Sequence, residues 1–243
     1  VLLHGFAGTS RAWDGVLAHL PAERYRPLPL DLPGHGSQTT VGVSGPEQES
    51  GLGEVDIEQA VGSVLRRSPP RFALCGYSLG GRIALHVALA APERVSRLTL
   101  IASGPGIGDS GERAKRRASD RALADEIEQV SIERFAERWC AQPVFAGDPP
   151  ELKVLARADY LRNDPPSLAA ALRGLGQGEM APLWERLGEL RMPVTVMVGD
   201  RDAKYRAIAQ RMADEIPKAR VQILGGGHRL PLESPAQVAS AIL

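Results

Sequence analysis

The sequence predicts an α/β protein, a mostly parallel, doubly wound sheet that carries a large helical insertion. Three observations support this. Short apolar runs alternate with stretches whose apolar residues recur every three or four positions, the strand–helix–strand order of parallel sheets. One run meets one such stretch at Gly76-Tyr77-Ser78-Leu79-Gly80, a serine with glycines two residues before and two after. Between residues 104 and 190 the strand pattern stops for longer than a crossover helix needs.

The bulk properties narrow the class. A chain of 243 residues fits one α/β domain with an insertion and can bury a sizeable core. Lys+Arg and Asp+Glu are equal at 29, so no global field favours nucleic acid or a membrane surface. Cys75 and Cys140 lie far apart, make no disulfide framework and point to a reducing cytoplasm. No apolar run is long enough for a membrane span and no charged leader precedes one, so neither a span nor a signal peptide is expected. No metal-ligand spacing is present, and no metal or cofactor is expected.

Taken in order, Val1-Leu2-Leu3 is a strand running into the turn His4-Gly5-Phe6. A central strand at this point implies either further strands upstream or an unusual sheet edge. Trp13, Val16, Leu17 and Leu20 form one face of a helix, and Arg26 to Asp31 is a strand ending in the breaker-rich Leu32-Pro33-Gly34-His35-Gly36. Ser37 to Gly53 is polar and glycine-rich and reads as a loop; Glu54 to Arg67 reads as a helix, with Ile57, Val61 and Leu65 at four-residue steps. Phe72 to Cys75 is a buried strand, and Leu79, Ile83, Val87 and Ala90 mark the helix after the serine. Val95 to Ala102 is the next strand. Residues 1–103 and 191–243 then form the core, and 104–190 a helical lid over the carboxyl ends of the strands, where ligands bind in such sheets. Pro193 to Val198, a helix bearing Ile208, Met212, Ala213 and Ile216, and the strand Arg220 to Leu224 complete the core. Ser234-Pro235 starts a last helix as N-cap and first residue.

The chemistry starts from Ser78. A sharp strand-to-helix turn holds its hydroxyl at the top of the sheet and leaves the next N–H free. A hydroxyl is a weak nucleophile or base at neutral pH, so it needs an imidazole and the imidazole an orienting carboxylate. Asp200 and Asp202 follow one strand end, and His228 follows the last strand in a glycine-rich loop. The order Ser, acid, His is that of the α/β-hydrolase fold. Asp202 is preferred because Asp200 is placed to cap its own strand end. His19 and His86 fall in helices, and His35 reads as a structural hydrogen-bonder. The N–H groups of Phe6 and Leu79 form the expected oxyanion hole.

A group of motifs extends this. Gly76-Tyr77-Ser78-Leu79-Gly80-Gly81-Arg82, Gly104-Pro105-Gly106-Ile107 with Glu112 to Arg117 and Ser119-Asp120-Arg121, Trp139 through Gln142-Pro143-Val144-Phe145, and Gly199 through Tyr205 lie along the chain. Together they resemble the 2-succinyl-6-hydroxy-2,4-cyclohexadiene-1-carboxylate synthases of menaquinone biosynthesis, which have the α/β-hydrolase fold. The resemblance runs nearly end to end, and its insertion motifs are more specific than the serine turn. It implies Ser78, Asp202 and His228 as the triad, with Tyr77, Arg82, Arg116 and Lys204 near the substrate. The reaction it implies is a cofactor-free elimination of pyruvate from a small-molecule tricarboxylate, with the triad serine as base. The resemblance departs at one point: the position of a family substrate arginine falls on Tyr160, so either Arg157 or Arg162 substitutes for it or a carboxylate contact is lost.

The residues favour an anionic substrate on their own account. Arg113, Lys115, Arg116, Arg117 and Arg121 crowd the start of the insertion, and Arg82 lies one turn past Ser78. Guanidinium groups match carboxylates bidentately. A basic helix is also a common solvated face, and Trp139 and Phe145 read first as packing residues. The alternative enzyme is a lidded esterase, lactonase or carbon–carbon hydrolase acting on an anionic substrate; a non-catalytic binding module is the alternative outside enzymes.

Overall fold

The computed structural model describes residues 1–38 and 55–242. Beyond Gln38, the loop expected up to Gly53 lies outside the described residues, as does Glu54 at the expected helix start. The strands are β1 (Leu2–Leu3), β2 (Pro29–Leu30), β3 (Phe72–Tyr77), β4 (Val95–Ile101), β5 (Val194–Gly199) and β6 (Ala219–Leu224). They form one parallel sheet in the order β2-β1-β3-β4-β5-β6. β1 is therefore interior, flanked by β2 and β3, and the sheet reverses its winding between β1 and β3. That reversal opens a crevice at the carboxyl ends of the strands, where β1 delivers His4-Gly5-Phe6 and β3 delivers Ser78.

Helices α1 (Asp14–Leu17), α2 (Ile57–Arg67), α3 (Leu79–Ala90), α8 (Ala203–Glu215), α9 (Leu230–Glu233) and α10 (Pro235–Ile242) accompany the sheet. Leu79, Ile83 and Val87 on α3 are buried, each contributing about 1.5–3 kcal/mol by leaving water. On the other face Trp13, Val16, Met197, Leu230 and Val238 form a second core cluster.

Residues 104–190 contain no strand; they hold α4 (Ser110–Glu128), α5 (Ile132–Cys140), α6 (Pro150–Tyr160) and α7 (Pro165–Leu175) with short 3-10 turns. Asp109, Ser131 and Asp164 cap α4, α5 and α7 through side chains that accept a backbone N–H of the first turn. Ile127, Phe135, Ala156, Tyr160, Leu168 and Leu172 build the segment's own apolar centre, and Phe6 of the β1 turn packs against it.

Some elements differ from expectation for local reasons. The helix expected from Trp13 to Leu20 is a 3-10 turn, Ser10–Trp13, followed by the single turn of α1. β2 is shorter than the expected Arg26 to Asp31, and Pro27, which has no N–H to give a ladder, lies outside it. On α2 the fully buried stripe is Ala60 and Val64, with Ile57, Val61 and Leu65 flanking it. α9 was not expected from the sequence.

Candidate active site

Ser78 sits between β3 and α3 with φ 51 and ψ −110, a conformation that L residues rarely adopt. The turn closes because a Cβ at Gly76 would run into the backbone of Gly80 and Gly81, and one at Gly80 into the Leu3 and His4 carbonyls. The Ser78 N–H donates to the Ile101 carbonyl at 2.9 Å, and the Ser103 hydroxyl donates to the Ser78 carbonyl at 2.8 Å. β4 and the turn after it thus hold the strained serine at both its N–H and its carbonyl.

His228 lies in the loop after β6. Its Nδ1 is 2.7 Å from Asp202 Oδ2 and its Nε2 is 3.2 Å from Ser78 Oγ. A carboxylate only accepts, so Nδ1 carries the proton and Nε2 is the acceptor facing the Ser78 hydroxyl. Asp202 also caps α8, its Oδ1 accepting from the Tyr205 N–H at 3.3 Å. Asp200 does something else: its Oδ1 accepts from the Gly226 N–H at 2.9 Å, tying the end of β5 to the histidine loop. Glu233 holds the same loop by accepting the Gly227 N–H at 2.6 Å. The His228 ring is surrounded by Tyr205, Tyr77 and Phe145, at centroid distances of 4.9, 5.6 and 5.9 Å.

The turn after β1 completes this face. Among the described residues, neither the Phe6 nor the Leu79 N–H donates to a protein acceptor. Ala7 adopts φ 63, and Asn163 Nδ2 donates to its carbonyl at 2.7 Å. Asp159 takes both the Thr9 N–H (2.9 Å) and the Thr9 hydroxyl (2.5 Å). The C-terminal end of α6 and the residues after it therefore fix the turn that carries the Phe6 N–H. Beneath it His4 Nε2 accepts from the Leu32 N–H at 3.0 Å, so its Nδ1 donates to the Gly5 carbonyl at 2.8 Å. His35 packs edge-on against His4 and Phe6 and donates Nδ1–H to the Pro33 carbonyl. Burial, with His4 beside it, pushes the His35 pKa down to about 3.

A cavity of about 40 Å³ opens beside Ser78, lined by Phe6, Tyr77, Trp139, Phe145, Tyr160 and Arg229 among others. Trp139 and Phe145 both pack the helical segment and wall this cavity: the Trp139 ring is 5.1 Å from Phe6 and 6.2 Å from Phe145. Arg82, Arg116 and Lys204 do not line it. Arg82 reaches the Met180 sulfur and the Leu175 carbonyl at 3.4 Å each. Burial lowers its pKa; Tyr205 and Asp120 work against that and Arg116 adds to it, which places Arg116 among its neighbours. Arg116 donates to Asp120 at 2.7 Å and Gln177 at 3.1 Å. Lys204 Nζ lies 5.7 Å from the Tyr205 ring centroid. These three cations gather on the Tyr205 side of His228.

Against Phe145 stands a residue the sequence reading did not single out. Arg229 is 1% exposed, pairs with Asp148, donates to the Tyr160 hydroxyl, and lies 3.5 Å over the Phe145 ring centroid. Its position directly after His228 was a visible signal; its partners, far upstream in the helical segment, were not. Arg157 and Arg162 turn instead to Glu137 and Asp159, at 3.8 and 4.0 Å. Arg113, Arg117 and Arg121 are engaged by the Ile107 and Gly178 carbonyls and by Glu179. Among the described residues no group of three or more His, Cys, Asp and Glu could hold a metal ion, and no helix is long and apolar enough to cross a membrane.

The model of the Alpha/beta hydrolase family matches residues 1–241. The 2-succinyl-6-hydroxy-2,4-cyclohexadiene-1-carboxylate synthase of Enterobacter sp. (strain 638) is 33% identical over 242 residues, covering 100% of this chain and 89% of its own length. The chain belongs to this synthase family. The Salmonella agona (strain SL483) synthase is 31% identical over 245 residues, covering 100% of this chain and 91% of that protein. Among solved structures, MenH from S. aureus superposes with a TM-score of 0.87 at 30% identity, covering 99% of this chain and 90% of that one. A hydrolase from Pseudomonas aeruginosa PA01 reaches 0.77 at 22% identity, covering 100% of this chain and 87% of that one, and shows the shared fold alone. Synthase and hydrolase therefore share the fold.

Proposed function

We propose that this enzyme eliminates pyruvate from 2-succinyl-5-enolpyruvyl-6-hydroxy-3-cyclohexene-1-carboxylate to give 2-succinyl-6-hydroxy-2,4-cyclohexadiene-1-carboxylate. The observation that carries the proposal is His228 bridging Ser78 Oγ and Asp202 at 3.2 and 2.7 Å, beside the unengaged Phe6 and Leu79 N–H groups, in a chain of the synthase family.

The chemistry follows from the two names. The ring position bearing the succinyl ketone carries an acidic proton. His228 Nε2 takes the Ser78 hydroxyl proton as Ser78 Oγ takes that ring proton. Negative charge builds on the ketone oxygen, where the Phe6 and Leu79 N–H groups stabilise it. The ring double bond shifts, a new one forms, and the carbon–oxygen bond to the enolpyruvyl group breaks. The departing enolate takes back a proton and leaves as pyruvate. Asp202 holds the His228 tautomer and offsets the imidazolium charge.

In this reading residues 104–190 are a lid on the core formed by 1–103 and 191–243. A cavity of about 40 Å³ is far below the roughly 300–1,000 Å³ of ligand sites, so the lid must move for the ring to enter. Arg82, Arg116 and Lys204, which do not line that cavity, are in this reading the cations that meet the substrate's carboxylates once the lid has moved. The test is pyruvate release from the tricarboxylate, followed by coupled assay and by mass spectrometry of Ser78. Release without a covalent adduct supports the proposal. An acyl adduct on Ser78 with efficient ester turnover, and no pyruvate, would replace it with a serine hydrolase.

A further inference from the structure

Asn163 follows α6, is 7% exposed, and joins three segments through its amide. Nδ2 donates to the Ala7 carbonyl at 2.7 Å and to the Tyr160 carbonyl at 3.0 Å, while Oδ1 accepts the Gly36 N–H at 2.9 Å. Carbonyls only accept and a backbone N–H only donates, so the amide can face one way only. Asn163 does not line the cavity beside Ser78. Its reach to that cavity is through Ala7.

The Gly8 N–H donates to the Gly5 carbonyl at 3.0 Å, closing a turn over Gly5, Phe6, Ala7 and Gly8. Ala7, third in the turn, alone among these four has a positive φ, 63. That is the type II pattern, in which glycine or asparagine usually takes this place. Alanine brings a methyl, and that methyl is buried in the apolar centre of the helical segment. A residue held in so sparsely populated a conformation needs its surroundings to fix it. Here the segment does so twice, by packing the methyl and by Asn163 on the carbonyl.

The consequence falls on Phe6. The Gly5 carbonyl accepts the Gly8 N–H and His4 Nδ1–H, at 3.0 and 2.8 Å. In a planar trans peptide the N–H points opposite to the C=O, so these bonds aim the Phe6 N–H out of the turn. If Ala7 left its conformation, the closing bond would go and the Gly5–Phe6 peptide would be free to rotate.

We propose that Asn163 is a positioning residue for catalysis: by holding Ala7 in its left-handed conformation, it sets the direction of the Phe6 N–H towards the oxygen that gains charge. This rests on the proposed role of that N–H, but not on the identity of the substrate. The donor is then in place only while the helical segment is docked. The movement that admits substrate therefore also loosens one half of the oxyanion hole, and closure restores it.

The experiment compares wild type with Asn163→Ala. For pyruvate release, kcat should fall about ten- to a hundredfold, less than for deleting a donor outright, because the donor is misdirected rather than lost. KM should stay within about threefold, since Asn163 touches no substrate. A residue that only stabilised the fold would lower the urea midpoint and leave kcat per folded molecule unchanged. That result, or a loss carried by KM, overturns the proposal. If Asn163→Ala fails to fold, Asn163→Asp decides by the same criteria: equal in size, it still accepts the Gly36 N–H but has no donor for the Ala7 carbonyl. Amide hydrogen exchange gives an arm free of the reaction. The Gly8 N–H, which closes the turn, should exchange at least about tenfold faster in the variant, with Leu100 in β4 as in wild type. Unchanged Gly8 exchange overturns the proposal. Wild type that releases no pyruvate, with faster Gly8 exchange in the variant, would overturn the proposed reaction and leave the hold on the turn standing.

Discussion

The two sides of His228 are held by different means. On the Ser78 side the restraint is backbone: strand carbonyls, glycines without a Cβ, and a strained φ at the serine itself. On the Arg229 side it is side chain: an ion pair with Asp148, two bonds to Tyr160 and a ring face from Phe145. All three partners come from the helical segment, where Pro150–Tyr160 and the turn before it reach the histidine loop. The comparison shows that one side is built into the sheet, whereas the other forms only when the segment docks. A carbonyl cannot be mutated away, but a carboxylate can, so the two sides differ in how they break.

The largest effect is expected where a buried charge loses its partner. Asp148→Asn leaves the Arg229 guanidinium buried beside a neutral amide, which costs about 3–5 kcal/mol in comparable pairs. Urea unfolding should show that loss, and adding Arg229→Met should restore most of it. A loss below about 1 kcal/mol, the range of exposed pairs, would mean that the docking does not depend on this pair. The backbone-held side should instead keep its fold when its reactive side chain is removed. Ser78→Ala and His228→Ala should each lower turnover at least about a hundredfold with unchanged circular dichroism. Near-native turnover by folded Ser78→Ala would remove the serine from the mechanism.

Acid tests the layer beneath Phe6. The His35 pKa of about 3 lies below the ordinary 6.5, so from 6.5 down to 3 the unfolded chain holds a proton that the folded chain lacks. This contribution is complete above 6.5 and is lost as pH falls towards 3, at up to about 1.4 kcal/mol per pH unit. Asp31 adds to the same trend lower down: burial raises its pKa, but the bonds from Ser37 and Ser10 outweigh that and hold it at about 2. Its share is therefore lost as pH falls from 3.8 towards 2. His35→Phe should move the acid-unfolding midpoint to lower pH; an unmoved midpoint would show that the imidazole is not the group responsible.

The same contrast explains what could be read before the structure. Gly76, Ser78 and Gly80 are contiguous, and their roles follow from sterics within five residues. The periods of Leu79, Ile83 and Val87 and the short apolar strands likewise need no tertiary knowledge. Asp202 is preferred in the sequence because Asp200 reads as the cap of its own strand end; in the structure the Asp200 side chain instead reaches across to the Gly226 N–H, while Asp202 caps α8. Arg229 was adjacent to His228 and still not legible, since its meaning depends on Asp148 and Tyr160, 81 and 69 residues away. The cluster of cations on α4 looked like a substrate grip, yet Arg113, Arg117 and Arg121 are engaged by groups of their own segment. Charge density is visible in a sequence; where the counter-charges stand is not.

The smallest effect separates two cations that the sequence treated alike. Arg82 has no carboxylate partner among its hydrogen bonds, only a thioether sulfur and a carbonyl at 3.4 Å. Arg116 already holds Asp120 at 2.7 Å, and its side chain is 39% exposed. A guanidinium that has spent its donors on a neighbouring carboxylate and faces water has less to offer a substrate, because solvent screens it and the existing pair must loosen first. Arg82 is the reverse case: its weak partners cost little to leave, and its burial makes a substrate carboxylate worth more. Arg82→Ala should therefore weaken transition-state binding of the tricarboxylate by about 1.5–3 kcal/mol, the worth of a charged hydrogen bond. Arg116→Ala should cost about 1 kcal/mol or less, shrinking further as salt rises. Steady-state kcat/KM at two ionic strengths resolves the difference. If Arg116→Ala proves the more damaging, the Asp120 pair opens during turnover and the α4 face moves towards the substrate.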